Sequence, residues 1–303
     1  MTTSRHYLAI LNPRGGRCRG LRVLDQVRTQ FAAAGVGLEV RTTEYAGHAL
    51  EIARSVSLDG YAAVCVIGGD GTVHEVINGL LRRDHPVSLP LGLIPAGTGN
   101  TLHEHVGCSD LESATRCILR GATRGLDIAQ VTFAEERVFC ANIVGWGAVT
   151  DINLLAERLR WLGRVRYTVA ALWHILKPIP RRAQLTLDHI TLDEEYLFAI
   201  ACNTRTTGSG MMLAPEALLD DGRFDVVLVR PRGRRELLNL FRRVSDGSHL
   251  KLPGVECHSV GSFGISTATP DLLNLDGEIK GVTPFTARVL PRALRVLSAD
   301  GEA

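Results

Sequence analysis

The stretch Ala62–Arg83, AAVCVIGGDGTVHEVINGLLRR, decides how the rest of the chain is read. Ala62 to Ile67 is a short apolar run rich in β-branched residues and bounded by glycine, the pattern of a strand buried on both faces of a parallel sheet. Gly68, Gly69 and Gly71 break the run. Beyond them Val73, Val76, Ile77, Leu80 and Leu81 recur at helical spacing, and Thr72 with Glu75 makes the T-x-x-E pattern of a capping box. A strand, a glycine turn and a capped helix start together aim unpaired N–H groups and a positive dipole end at one point, where phosphate is stabilised. Glycines after a strand also serve plain tight turns, so Asp70 carries the argument for chemistry. A carboxylate in an anion-binding loop repels phosphate unless it holds a metal, accepts a proton or bonds a hydroxyl. Neither a Walker A ending nor G-x-G-x-x-G occurs, which excludes the ordinary nucleotide loops.

Working outward, Tyr7–Leu11 reads as a buried strand, Asn12–Gly20 as a glycine-rich turn with three arginines, and Leu21–Ala34 as a helix through Leu24, Val27 and Phe31. Leu38–Arg41 is a further strand, followed by Thr42 and a helix over Gly47–Ser57. Leu91–Ile94 is another strand, and Pro95–Asn100 leaves its end as a small-residue loop with Thr98 and Asn100 as its polar groups. Three loops thus leave one edge of a parallel sheet, where open α/β sheets bind ligands. Near Gly125 the pattern changes. Leu126–Phe133 and Val138–Val144 are joined by a polar turn, and Leu185–Leu192, Tyr196–Cys202, Arg223–Val229, Gly254–Ser266, Leu272–Leu275 and Phe285–Leu290 follow as short strand-like runs. The expected architecture is an α/β N-terminal nucleotide-binding domain with a parallel sheet, residues 1–125, and a C-terminal β-sandwich, 126–290, with a helical insertion. The tail 291–303 is free to pack back on the first domain.

A chain of 303 residues, 45% hydrophobic and 22% charged, can bury the cores of two domains. Its net charge of +2 gives no case for nucleic-acid binding. Seven cysteines without a C-x-x-C pair argue for a reducing compartment, with the cytoplasm as default. No window approaches the ~20 apolar residues of a spanning helix, so membrane contact is expected to be peripheral. Two stretches suit it. The insertion Ala148–Leu176 sets Arg158, Arg160, Arg164 and Arg166 among Trp161, Tyr167 and Trp173, and Arg230–Arg243 combines six arginines with Leu237, Leu238, Leu240 and Phe241.

Gly68-Gly69-Asp70-Gly71-Thr72, with Asn12-Pro13-Arg14-Gly15-Gly16 before it and Pro95-Ala96-Gly97-Thr98-Gly99-Asn100 after it, resembles the diacylglycerol kinase catalytic domain shared by bacterial lipid kinases, sphingosine kinases and ceramide kinases. NAD kinases share G-G-D-G. The resemblance runs through Asp276-Gly277-Glu278 and implies an ATP-dependent kinase acting on a hydroxyl of a membrane lipid, a diacylglycerol or a sphingoid base. It implies nucleotide contacts from Asn12, Thr42, Gly68, Gly69, Gly71, Thr72, Thr98 and Asn100, with Glu278 as proton acceptor and Asp70 as the other candidate base. Asp151, in GWGAVTDINLLAERLRWLGRVRY, matches the acidic residue that holds the lipid head group, and as a bare sequence it also reads as a helix cap. In PEALLDDGRFDV the resemblance implies a structural Mg²⁺ held by Asp221 and the carbonyls of Leu218 and Arg223, although Asp-Gly is also a common turn. Asp276-Gly277-Glu278 likewise reads as a hairpin turn.

The chain departs from the pattern at Gly15, where the family has serine, at Thr101, where bacterial members have aspartate, and at Asn153, where the family has an acid. The change at Thr101 leans toward the sphingosine-kinase branch. Two alternatives remain open at this point, an NAD kinase and a lipid-binding regulator without catalysis. Oligomeric state leaves no trace in the sequence.

Overall fold

The computed structural model of the chain describes residues 5–208 and 210–302. It divides into two compact units, Met1–Leu126 with Pro291–Ala303, and Asp127–Leu290.

The first unit runs β1 (His6–Leu11), α1 (Gly15–Cys18), α2 (Gly20–Ala33), β2 (Gly37–Thr42), α3 (His48–Ser55), β3 (Ala63–Gly68), α4 (Asp70–Leu80), β4 (Leu91–Pro95), α5 (Thr101–His105) and α6 (Leu111–Arg120), before β5 (Thr123–Phe133) leads out of it. The strands pair in parallel in the order β2-β1-β3-β4. Every residue of β3 is buried, which is why that segment is an unbroken apolar run and not an alternating one. α2 packs on α6, and α3 on α4.

The expected capping box is not formed. No side chain caps α4, whose N-cap is Gly69. Thr72 instead accepts a hydrogen bond from Asn12 Nδ2 at 3.0 Å. Glu75 reaches a different helix, its carboxylate accepting from the N–H of Gly47 at 2.9 Å and of Ala49 at 3.1 Å. The reason lies in α3: its N-cap, Gly47, sits at φ 89 and has no side chain to satisfy the first N–H groups, so a carboxylate from α4 does so.

The second unit continues with β6 (Glu136–Cys140), β7 (Ile143–Gly147), α7 (Ala148–Arg158), α8 (Arg166–Leu176), β8 (Arg181–Leu187), β9 (Ile190–Tyr196), β10 (Phe198–Cys202), β11 (Phe224–Val229), α9 (Arg234–Arg243), β12 (Val255–Val260), β13 (Ser262–Ser266), β14 (Leu272–Leu275), β15 (Glu278–Val282) and β16 (Phe285–Leu297). β16 carries the chain back into the first unit, where Val296 stands beside Leu91 in parallel register. A six-stranded antiparallel sheet in the order β12-β11-β10-β7-β14-β15 packs on a layer built from β9, β8, β13 and β16, with β5 and β6 beyond. Along β10 the alternation divides between two cores. Ala199 and Ala201 face the sandwich interior with Leu185, Phe263 and Phe285, while Phe198, Ile200 and Cys202 face an outer core with Leu237 and Leu240 of α9.

Three expected single strands are each two. Val138–Val144 breaks between β6 and β7, and Gly254–Ser266 between β12 and β13. Leu185–Leu192 turns back at Asp188, where φ is 49. At the first two breaks a carboxylate replaces the ladder partners that the chain gives up on changing sheet. Asp276 accepts from the N–H groups of Ala141, Asn142 and Ile143 at 3.0, 2.8 and 2.9 Å. Asp188 accepts from those of Gly261 and Ser262 at 3.1 and 2.7 Å.

The insertion is not one helix either. A 3₁₀ segment, Arg160–Val165, kinked at Gly163 with φ 62, separates α7 from α8. In the second basic stretch Leu237 and Leu240 of α9 face the outer core, Arg230 is paired with Glu194 and Glu256, and Arg234, Arg235, Arg242 and Arg243 are exposed.

Candidate active site

In the first unit the three loops close on one another through main chain. A methyl group on Gly97 would lie 2.4 Å from the Cα of Gly69, and one on Gly16 would lie 2.1 Å from the carbonyl oxygen of Ala96. Side chains are thus excluded where the loops touch. Asp70 N–H donates to Gly99 O at 3.1 Å, and Asp70 Oδ1 accepts from the N–H of Thr101 at 2.8 Å. One carboxylate therefore fixes the start of α5 to the start of α4. Asn12 binds Thr72 through Nδ2, and its Oδ1 accepts from the N–H of Arg14 at 3.0 Å. Asn100 Nδ2 donates to Gly97 O at 3.3 Å, while its Oδ1 is buried with no partner among the described residues. Asn12, Gly68, Gly69, Asp70, Gly71, Thr72 and Asn100 are brought together in this way. Thr98 is exposed on the same loop, and Thr42 is exposed at the end of β2 beside Leu11.

In the second unit Glu278 is exposed, immediately after a two-residue hairpin turn. Asp276 and Gly277 sit at φ 54 and 96, the geometry that Asp-Gly turns favour. The turn is held from three sides. Asp276 is buried on the amides of 141–143, Asn274 Oδ1 accepts from the N–H of Gly277 at 2.9 Å, and Asn153 Nδ2 donates to Gly277 O at 2.6 Å. Asn153, at the position of the family's acid, is therefore buried as a support for the turn that presents Glu278.

Asp151 does not cap a helix. It lies in the first turn of α7, and both its oxygens face Arg181 Nη2, at 3.0 and 2.9 Å. Arg181 Nε also meets Asp271 Oδ2 at 3.1 Å. Burial lowers the pKa of nearby His174, with Asp151 opposing the shift and Arg181 adding to it.

The loop with Leu218, Asp221 and Arg223 is anchored from below by Asp127, which is fully buried. Asp127 N–H donates to Leu219 O at 2.7 Å, and its Oδ2 accepts from the N–H of Gly222. Asp221 Oδ1 accepts from the N–H of Arg223 at 3.0 Å, and Leu218, Asp221 and Arg223 are all exposed. Among the described residues no group of three or more His, Cys, Asp or Glu could hold a metal ion. What the loop offers is one carboxylate beside main-chain carbonyls, an all-oxygen set that fits a hard cation.

Two family models match the chain in succession. The diacylglycerol kinase catalytic domain matches residues 6–131, and the YegS C-terminal NAD kinase beta sandwich-like domain matches residues 142–298, more than half of the chain. The chain belongs to the diacylglycerol kinase catalytic-domain family. Among relatives of this family, sphingosine kinase 1 of Arabidopsis thaliana is 29% identical over 91% of this chain and 68% of its own length. A diacylglycerol kinase of Bacillus subtilis is 28% identical over 91% of this chain and 90% of its own. The crystal structure of a diacylglycerol kinase from Bacillus anthracis has the same fold, with a TM-score of 0.75 at 18% identity over 99% of this chain and 98% of that one. An NAD kinase from Archaeoglobus fulgidus, solved with ATP, is a more distant likeness, with a TM-score of 0.51 at 11% identity over 97% of this chain and 94% of that one.

Several supporting residues of this family member carry little or no signal in the sequence. Asn203 Nδ2 donates to the carbonyls of Asp127 and Ala141, both at 2.9 Å, and so links the Asp221 loop to the amides that hold Asp276. Asp127 is a polar residue set between Leu126 and Ile128 in an apolar run, a signal that a buried polar group needs partners. Arg181 carried no such signal, because an arginine opening a strand looks like any solvated one.

Proposed function

We propose that the chain is an ATP-dependent lipid kinase that transfers the γ-phosphoryl group to a hydroxyl of a membrane lipid, acting from the cytoplasm on the membrane surface. The observation that carries this reading is the closure of the Gly69 and Gly97 loops beside Asp70. It leaves helix N-termini and loop amides as the phosphate ligands, in a family whose named relatives are lipid kinases. The first unit binds ATP, with Asn100 Oδ1 free to accept from a nucleotide hydroxyl. Thr42 and Thr98 supply outer contacts.

Phosphoryl transfer asks for alignment and charge stabilisation more than covalent help. The lipid oxygen attacks the γ-phosphorus while its proton passes to Glu278, and the bond to ADP breaks with its electron pair leaving on ADP. Asp70 positions the loops through the Thr101 amide and is the second candidate for the proton. Leu218 O, Asp221 and Arg223 O would hold the structural Mg²⁺, which when bound adds positive charge and rigidity to that loop. Asp151 binds the lipid head group.

No described helix is long and apolar enough to cross a membrane. The insertion instead exposes a run of large apolar groups, with Trp161 78% accessible and Val165, Trp173, Leu176 and Ile179 each above half. Lys177 Nζ lies 4.9 Å from the Trp173 ring centre, and Arg166 lies as close to that of Tyr167. Aromatic groups flanked by cations suit the headgroup layer. Arg158 is exposed alongside them, whereas the side chains of Arg160 and Arg164 lie outside the described residues.

The test is γ-labelled ATP offered with dioleoylglycerol, sphingosine or NAD in mixed micelles, with Asp70→Asn as control. Labelled lipid from the parent and none from the variant is expected. Labelled NAD with unlabelled lipid would instead support an NAD kinase, and lipid binding without transfer a non-catalytic regulator.

A further inference from the structure

We propose that Arg181 is a specificity residue that turns the Asp151 site away from a cationic head group and toward a neutral one, a glycerol-type alcohol in preference to an amino alcohol. The inference rests on the lipid-kinase reading and decides between the two acceptor classes it leaves open. A carboxylate awaiting an ammonium group would stand with its charge uncompensated. Asp151 does not: both its oxygens lie within 3.0 Å of Arg181 Nη2. An ammonium docked on Asp151 would therefore lie a few ångströms from a fixed guanidinium, in a site about four-fifths shielded from water, where like charges repel strongly.

Asp271 shares the same guanidinium and offsets part of this repulsion, so Arg181 weakens the site's pull on an ammonium group. Asp271 Oδ2 is occupied by Arg181 Nε, and its Oδ1 accepts from the N–H of Leu272 at 3.0 Å. His174 is held toward its neutral form by burial. Arg166 is turned to Glu157 at 3.3 Å. The remaining guanidinium nitrogen, Arg181 Nη1, is buried and has no acceptor among the described residues. An ester carbonyl beside the reacting hydroxyl would supply one with no cation attached, whereas the free hydroxyl of a sphingoid base brings its ammonium group with it. Arg181 thus disfavours one acceptor by charge and favours the other by an unmet donor. This reading runs against the sphingosine-kinase leaning of Thr101.

The experiment compares kcat/KM for dioleoylglycerol and sphingosine in mixed micelles for the full chain, Arg181→Gln and Asp271→Asn, with thermal melting as the folding control. The parent is expected to favour dioleoylglycerol by about tenfold or more, and Arg181→Gln to move the ratio toward sphingosine by about tenfold. Asp271→Asn, which removes a negative charge from beside Arg181, should move it the opposite way. Should Arg181→Gln not fold, the direction of the Asp271→Asn shift decides. A parent that prefers sphingosine, or a ratio that moves less than about threefold in the variants, overturns the proposal while leaving the kinase reading intact. A parent that labels neither lipid removes the kinase reading, and this proposal with it.

Discussion

The first unit closes its candidate site mainly through main chain, and the second builds its own from side chains that meet across long stretches of sequence. Gly69 meets Gly97 and Gly16 meets Ala96 without an intervening side chain. Asp276 meets the amides of 141–143, and Arg181 gathers Asp151 and Asp271. Main-chain sites need particular residues next to each other in sequence, because only adjacent glycines and caps can shape one loop. Side-chain sites need only that two distant residues arrive together. The first kind is open to inspection in a single sequence and the second is not.

The largest effect expected from breaking the second site is on rate. Glu278→Gln keeps the shape of the exposed side chain and cannot accept the proton, so kcat should fall ~10²–10⁴-fold, the usual range for a lost general base. Binding of a non-hydrolysable ATP analogue should hardly change, since the nucleotide contacts we propose belong to the first unit. A fall of less than about tenfold would pass the role to Asp70.

Asp276→Ala attacks the same turn from inside. Three amides of the sheet-changing corner lose their acceptor together, and each buried unsatisfied donor costs ~1–3 kcal/mol. We expect a loss of at least about 3 kcal/mol in urea unfolding, where Glu278→Gln should show none beyond about 0.5 kcal/mol. Equal stability of the two variants would mean that the corner is held by its strands and not by Asp276.

These two neighbours show where legibility ended. The strand and helix content of both domains was readable, because β3 is an unbroken apolar run and α2 and α4 carry helical periodicity. The glycine loops after β1, β3 and β4 were readable as loops that leave one edge of the sheet. Much of what the sequence hides is a pairing, beside local breaks such as the kink at Gly163. Thr72 and Glu75 have the spacing of a capping box, yet Glu75 serves α3, a helix 26 to 28 residues earlier in the chain. Val138–Val144 looked like one strand because nothing local announces that Asp276 breaks it. Arg181 has no local signal because its partners lie 30 residues before it and, in Asp271, 90 residues after it.

A smaller effect distinguishes the buried interior of the first unit from its loops. His103 is fully buried, and burial pushes its pKa down to about 4 from 6.5, with the main chain at Ile94 opposing. The unfolded chain takes up this proton near pH 6.5 and the folded one only near 4, so stability falls as the pH drops through that window. The slope is about 1.4 kcal/mol per pH unit, or about 2 kcal/mol between pH 6.5 and 5. His103→Gln should remove that much of the parent's acid sensitivity, read as the difference between the two proteins in urea unfolding at both pH values. An unchanged slope would mean that the imidazole charges without leaving its place.

The smallest effect is a gain. Gly15 stands where the family has serine, and a side chain there has room: the Cβ would lie 3.7 Å from Ala96 O and from Asn12 Cγ, an ordinary contact, and the backbone is outside the left-handed region. One residue on, Gly16 has φ 53 and its Cβ would lie 2.1 Å from Ala96 O, a collision of main chain that no rotamer relieves. Gly15→Ser should therefore leave stability within about 0.5 kcal/mol of the parent. Its restored hydroxyl is expected to tighten ATP by about two- to tenfold in calorimetry, the net worth of one hydrogen bond. Gly16→Ser should cost more than about 2 kcal/mol and abolish nucleotide binding, because the first loop would have to leave the second. If the two variants behave alike, the loops are not in the main-chain contact described, and the division between a site of backbone and a site of side chains loses its first half.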